Sequence, residues 1–193
     1  MDGWGERMVD CVTTVAHMAA LGFGLPGDAF TALMAGGPHL LAPTGSDLGR
    51  YSAEGTVFAG YHSDLNLLTI HGKARFPGLF IWLRDGRRVP VAVPEGCLLL
   101  QAGKQLEWLT GGAVLAGFHE VVLTPTTTAA VAAATAAGRS TWRVSSTLFA
   151  HVASDQLLRP LGPFAQTASA GAYPPITAGQ QVQDELSKIN LKA

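Results

Sequence analysis

Tyr61-His62-Ser63-Asp64-Leu65-Asn66-Leu67-Leu68-Thr69-Ile70 joins metal-binding side chains to an apolar run of strand character. Side chains two apart on an extended segment face the same way, so His62 and Asp64 can share a target. A third donor must come from another strand. His119, in Gly117-Phe118-His119-Glu120-Val121-Val122, sits in a second strand-like run, where an inward polar group needs a partner. Two imidazoles and one carboxylate can hold one face of an Fe(II) octahedron and leave the opposite positions open.

Outward from this stretch the chain breaks into short β-like runs at 56–61, 65–71, 79–83, 89–93, 97–101, 105–109 and 114–123. Phe76-Pro77-Gly78, Arg84-Asp85-Gly86, Pro94-Glu95-Gly96 and Gly111-Gly112 separate them. Many short strands at such spacing predict an antiparallel sandwich or barrel. Residues 142–152 read as a further strand. Residues 124–138 are biased to Thr and Ala, and the pattern leaves open a short helix over 129–137 or a mobile insertion.

The ends differ from the middle. Met8, Val12, Val15, Ala16 and Ala19 recur at spacings of three and four, which predicts an amphipathic helix over 5–22 stopped by Gly22. A short second helix is expected from an N-cap at Asp28 to Gly36-Gly37, then a loop over 38–54. Residues 177–189 predict a closing helix with Gln180, Asp184 and Lys188 on its wet side. The layout expected is one domain over 1–193: a helical flank over 1–37, a β core over 50–152, and a tail with a helix over 153–193.

Composition narrows the function classes. The chain has 193 residues, enough for a substantial core, with 48% hydrophobic and 14% charged residues. A net charge of −1 gives no reason to expect a nucleic-acid or membrane-surface partner. No stretch approaches the roughly 20 apolar residues of a membrane span, and no basic-flanked leader is visible. Cys11 and Cys97 sit among apolar residues, so both are expected to be buried free thiols in a reducing, cytoplasmic setting.

Trp142-Arg143-Val144-Ser145-Ser146 places a cation and a hydroxyl two apart on a strand. A guanidinium fork pairs bidentately with a carboxylate, and a neighbouring hydroxyl adds a third hydrogen bond.

Taken in order, the His62 stretch, Phe76-Pro77-Gly78-Leu79, Asp85-Gly86, Val93-Pro94-Glu95-Gly96-Cys97 and the segment 98–112 resemble the isopenicillin N synthase-like family of Fe(II)/2-oxoglutarate dioxygenases. The resemblance runs over roughly residues 10–150. It implies a mainly β fold with flanking helices and a double-stranded β-helix (jelly-roll) core. It further implies His62, Asp64 and His119 as ligands of Fe(II). Arg143 and Ser145 would grip the far carboxylate of 2-oxoglutarate, with O2 as the second co-substrate. The activity implied is oxidation of a small organic molecule with release of succinate and carbon dioxide. Two rivals remain: an oxidase of the same fold that does not consume 2-oxoglutarate, and a non-catalytic jelly-roll binding protein or truncated pseudoenzyme.

The chain departs from the family pattern at Glu120, where Arg is usual, at Gly103-Lys104, where G-D is usual, and in its longer interval from His119 to Arg143. The family also carries an N-terminal region before the first helix read here. An uncovered apolar face and self-association are therefore expected. His39, His71 and His151 could support the site or touch substrate, but surface or core placement is expected first; Trp82 and Trp108 are expected as core or pocket-wall aromatics. Arg84, Arg87 and Arg88 are expected at a solvated hairpin tip, and Lys104 in a turn.

Overall fold

The structure, a computed structural model, describes residues 2–188. Helix α1 (Asp2–Gly22) and the single turn α2 (Thr31–Met34) precede strands β1 (Leu40–Asp47), β2 (Val57–Ser63), β3 (Leu68–His71), β4 (Leu79–Trp82), β5 (Arg88–Pro90) and β6 (Leu99–Ala102). Helix α3 (Lys104–Leu109), β7 (Phe118–Val122), α4 (Pro125–Ala136) and β8 (Trp142–Ala150) follow. The short strands β9 (Leu157–Leu158) and β10 (Ile176–Thr177) pair before α5 (Ala178–Lys188). Ile189, the expected last residue of the closing helix, lies outside the described residues.

Two antiparallel four-stranded sheets face each other, ordered β1-β8-β3-β6 and β2-β7-β4-β5. This is the expected mainly β jelly-roll with flanking helices. Alternation along β3 and β8 divides the first sheet into two faces. Leu68, Ile70, Leu148 and Ala150 point outward and pack against Met8, Val12, Ala16 and Ala20, one residue from each successive turn of α1. Full burial of such side chains contributes about 1.5–3 kcal/mol each for the larger ones. The alternate residues Thr69, His71, Arg143, Ser145, Thr147 and Phe149 point inward and line a cavity between the sheets. The helix is therefore anchored on one face and leaves the other free for chemistry.

Several expectations change. Residues 38–54 hold strand β1 rather than a loop, so the sandwich begins before residue 50. β1 is an edge strand, where Pro43 costs no central ladder bond, and its polar, half-exposed residues carry no alternation to read. Residues 105–109 form α3 rather than a strand. Gln105, Leu106 and Leu109 are buried, a helical spacing that replaces the apparent alternation of five residues. Asp28 is not the N-cap of α2, which starts after Phe30 with no side-chain cap. Within residues 124–138 the chain forms helix α4 over Pro125–Ala136, longer than the expected 129–137. Thr124 and Thr127 form a reciprocal capping box, Pro125 occupies the first turn, and Ala134 packs into a small cluster with Leu48, Phe76 and Leu123.

Other side chains depart from their expected surroundings. Cys97 is exposed in the turn before β6, and Cys11 is half-buried; both are free. Arg88 is not merely solvated: its Nε donates to Glu120 at 2.6 Å, and its guanidinium lies 3.7 Å from the Phe80 ring centre. That pair gives the unusual Glu120 a role on the outer face, with its neighbour His119 turned inward. Lys104 opens α3 and pairs with Glu107 at 3.4 Å. Trp108 and Trp82 do stand where expected, Trp108 packed on the core with its indole N–H donating to the Pro174 carbonyl and Trp82 on a pocket wall edge-on to Tyr61.

Gly103 fixes the turn between β6 and α3 against the His62–Asp64 segment. Its N–H donates to the Leu67 carbonyl, and Lys104 N–H donates to the Asp64 carbonyl. A Cβ on Gly103 would meet the Asn66 carbonyl oxygen at 2.0 Å. Gly103→Ala is expected to destabilise the fold by about 1–3 kcal/mol, the usual cost of overpacking. Urea unfolding checks this, and wild-type stability in the variant would show that the two segments separate freely.

Candidate metal and carboxylate site

Strand pairing assembles the site. The register of β2 against β7 sets His62 directly opposite His119. The pairing slips between Ala59 and His62, and irregularities of this kind re-aim side chains near functional sites. The Gly60 carbonyl in that irregular stretch lies 2.6 Å from His62 Nδ1. The Gly117 carbonyl lies 3.4 Å from His119 Nδ1. A carbonyl only accepts, so each ring carries hydrogen on Nδ1 and keeps Nε2 for a metal.

Asp64 follows the end of β2 and is 5% exposed. Its Oδ1 lies 3.8 Å from Nε2 of both His62 and His119. Its Oδ2 accepts the Thr69 hydroxyl at 2.6 Å, so one oxygen is held and the other faces the imidazoles. Ligand atoms of the three residues lie within 4.8 Å of one another. The donor set and its shared focus fit a divalent ion such as Fe(II), which these three residues would hold. Thr69 was not singled out from sequence. Its place five residues after Asp64, on the inward face of β3, was the available signal.

The opposite part of the cavity is cationic. Arg143 is 8% exposed, and its Nε has no hydrogen-bond partner. Among the described residues no carboxylate pairs with it. Burial lowers its pKa, although a guanidinium stays charged at any ordinary pH. Ser145 lies two residues further along β8, and its Oγ is 3.4 Å from Thr147 Oγ1. A buried cation with an unused donor fits an anionic ligand. The cavity is about 160 Å³, with Leu79, Val121 and Phe149 among its apolar walls. All five residues singled out from sequence (His62, Asp64, His119, Arg143 and Ser145) line it.

His71 lines it too, and is neither surface nor plain core. Its Nδ1 faces the Gly72 carbonyl at 3.2 Å, and its Nε2 lies 3.5 Å from Gln101 Nε2. His39 and His151 lie elsewhere, where the His151 N–H donates to His39 Nδ1.

The 2OG-Fe(II) oxygenase superfamily model matches residues 43–152, more than half of the chain. The chain belongs to that superfamily. Among solved structures, it is similar to a Caulobacter crescentus protein assigned to the 2OG-Fe(II) oxygenase family, at 27% identity and a TM-score of 0.79. That match covers 98% of this chain and 58% of the other. It is also similar to a full-length Neurospora crassa protein crystallised in complex with alpha-KG, at 18% identity and a TM-score of 0.79, covering 97% of this chain and 56% of that one. The rice dioxygenase for auxin oxidation aligns at 19% identity and a TM-score of 0.75, covering 96% and 57%. The last two likenesses concern the fold. No curated protein matches the chain. The chain thus spans well under two thirds of each of these three structures. Among its described residues no helix is long and apolar enough to cross a membrane.

Burial lowers the pKa of His119, opposed in part by Asp64 and assisted by His62. Burial likewise lowers His39 and His71, and brings His151 to about 4. A histidine whose folded pKa lies below its unfolded value binds fewer protons when folded. Its stabilising contribution is present above the unfolded pKa of 6.5 and is lost as pH falls toward the folded one. The fold should therefore weaken between about pH 6.5 and pH 4, and His151→Gln should flatten that dependence. Thermal melts across the range check this; an equally steep fall in the variant would remove His151 as a cause.

Proposed function

We propose that this chain is the catalytic part of an Fe(II)- and 2-oxoglutarate-dependent oxygenase acting on a small organic substrate. The observation that carries the reading is one small cavity with a two-histidine, one-carboxylate cluster and a buried guanidinium with an unused donor. His62, Asp64 and His119 would hold the iron. Bound iron would supply the oxygen activation and electron transfer that couple decarboxylation to substrate oxidation, giving succinate and carbon dioxide.

The chain's own part is binding and orientation. Thr69 keeps Asp64 in place, and the Gly60 and Gly117 carbonyls fix the two rings. Arg143 and Ser145 bind the far carboxylate of 2-oxoglutarate, so the diacid lies between guanidinium and iron. Leu79, Val121 and Phe149 limit water around it. We read the chain as one catalytic domain over 1–193, with a helical flank over 1–37, a jelly-roll core and a tail with a helix over 153–193. The free, exposed Cys97 thiol suits a reducing compartment, so we place the protein in the cytoplasm.

Replacement of His62, Asp64 or His119 by Ala should each remove most Fe(II) affinity. Thr69→Val should weaken it by about ten- to a hundredfold. Arg143→Lys keeps the charge but loses the planar fork. It should weaken 2-oxoglutarate binding by about tenfold while iron binding stays normal. Calorimetry on the variants and succinate measurement on the wild type decide the matter. Substrate oxidation without succinate would favour an oxidase of the same fold, and wild-type iron affinity in His119→Ala would remove that residue from the site.

We also propose that the chain self-associates through apolar surface. Trp4, Trp142 and Val144 are 41%, 49% and 51% exposed, and Trp4 reaches β8 through a hydrogen bond to Ser146. Met18 and Leu21 add apolar area on α1 at 62% and 57% exposure. Exposed large apolar side chains of this kind favour association. Light scattering should show mass rising with concentration, reduced in Trp142→Ser/Val144→Ser; a monomer at every concentration would contradict it.

A further inference from the structure

His71 closes the inner face of β3, directly across from Thr147 on β8. Thr147 continues the inward row that begins with Arg143 and Ser145, so His71 stands beside that row. A second cavity of about 320 Å³ adjoins the first, lined by residues 71–77, Leu79, 91–93 and Arg143. The two cavities share only His71, Leu79 and Arg143. None of the three metal-binding residues lines the second. His71, Leu79 and Arg143 are therefore the end wall of the metal cavity, on the side away from the metal cluster. The wall's polar members are a guanidinium with an unpartnered Nε and an imidazole whose Nε2 has one marginal contact, to Gln101 at 3.5 Å.

We propose that His71 is a further co-substrate-contacting residue, binding the far carboxylate of the 2-oxo diacid together with Arg143 and Ser145. This rests on the oxygenase reading above. A carboxylate has about four lone-pair sites, more than one guanidinium fork and one hydroxyl fill. His71 supplies another donor once its Nε2 carries the proton. The chain thereby selects diacids over monoacids at a position where an apolar residue would only fill space. Burial lowers the pKa of His71, opposed by the Gly72 carbonyl, while His119 on β7 and Arg143 on β8 lower it further and Asp64 raises it. An arriving carboxylate offsets the effect of Arg143.

The experiment uses the full chain loaded with Mn(II), and compares 2-oxoglutarate with 2-oxopentanoate, which has the same chain length and no far carboxylate. Calorimetry on wild type, His71→Leu and His71→Asn is the readout. His71→Leu should weaken 2-oxoglutarate binding by about tenfold or more, the scale of one hydrogen bond to a charged group. It should leave 2-oxopentanoate and Mn(II) binding unchanged, and His71→Asn should recover part of the loss. Equal losses for both acids would assign His71 a structural role and overturn the proposal. Unchanged 2-oxoglutarate binding in His71→Leu would overturn it as well. Wild-type protein that holds Mn(II) but binds neither acid would overturn the co-substrate reading itself, which distinguishes the two failures.

Discussion

The antiparallel pairing of β2 with β7 is the constraint on which the site depends. It sets His62 directly opposite His119. A slip of one residue would turn one ring to the outer face and Tyr61 or Glu120 inward. The third donor depends on a different contact. Asp64 lies beyond the end of β2 and is positioned by backbone bonds to the turn at Gly103-Lys104 and by the Thr69 hydroxyl. The site thus needs both sheets: β2 and β7 from one, and from the other β3 and the turn that leaves β6.

The same two-sheet arrangement determines what the cavity can hold. The outer faces of β3 and of the C-terminal half of β8 pack through apolar contacts on α1. Their inner faces carry hydroxyls, an imidazole and a guanidinium. A buried cation without a carboxylate partner is costly to maintain in a protein interior. Here Arg143 stays buried with an unused donor, while other arginines find partners at the surface: Arg88 with Glu120, and Arg87 with Asp85. That contrast is the physical reason to read the end wall as built for an anion.

Much of this was legible in the sequence, for identifiable reasons. The H-x-D spacing, the inward histidine of a later strand and the R-x-S pair all follow the two-residue period of extended chain, which survives in any strand. β1 was not legible, because an edge strand with Pro43 and Gly45 and a half-exposed surface has no apolar alternation. α3 misled because Gln105-Leu106-Glu107-Trp108-Leu109 alternates polar and apolar residues as a strand does, and only its burial shows the helical spacing. α4 has alanine on every side, so periodicity is silent and capping decides. Thr69 was hidden differently, and His71 was visible only as a lesser candidate. Their residue types are common in strands, and their importance comes from what lies across the sheet.

The central claim is that His62, Asp64 and His119 hold iron within reach of a diacid gripped at Arg143. Anaerobic titration tests it directly: Fe(II) is added first, then 2-oxoglutarate, with the visible spectrum recorded throughout. The account predicts a weak charge-transfer band that needs both additions, is absent in Asp64→Ala, and in Arg143→Lys appears only at higher 2-oxoglutarate. Iron bound by the wild type with no spectral response to saturating 2-oxoglutarate would contradict it.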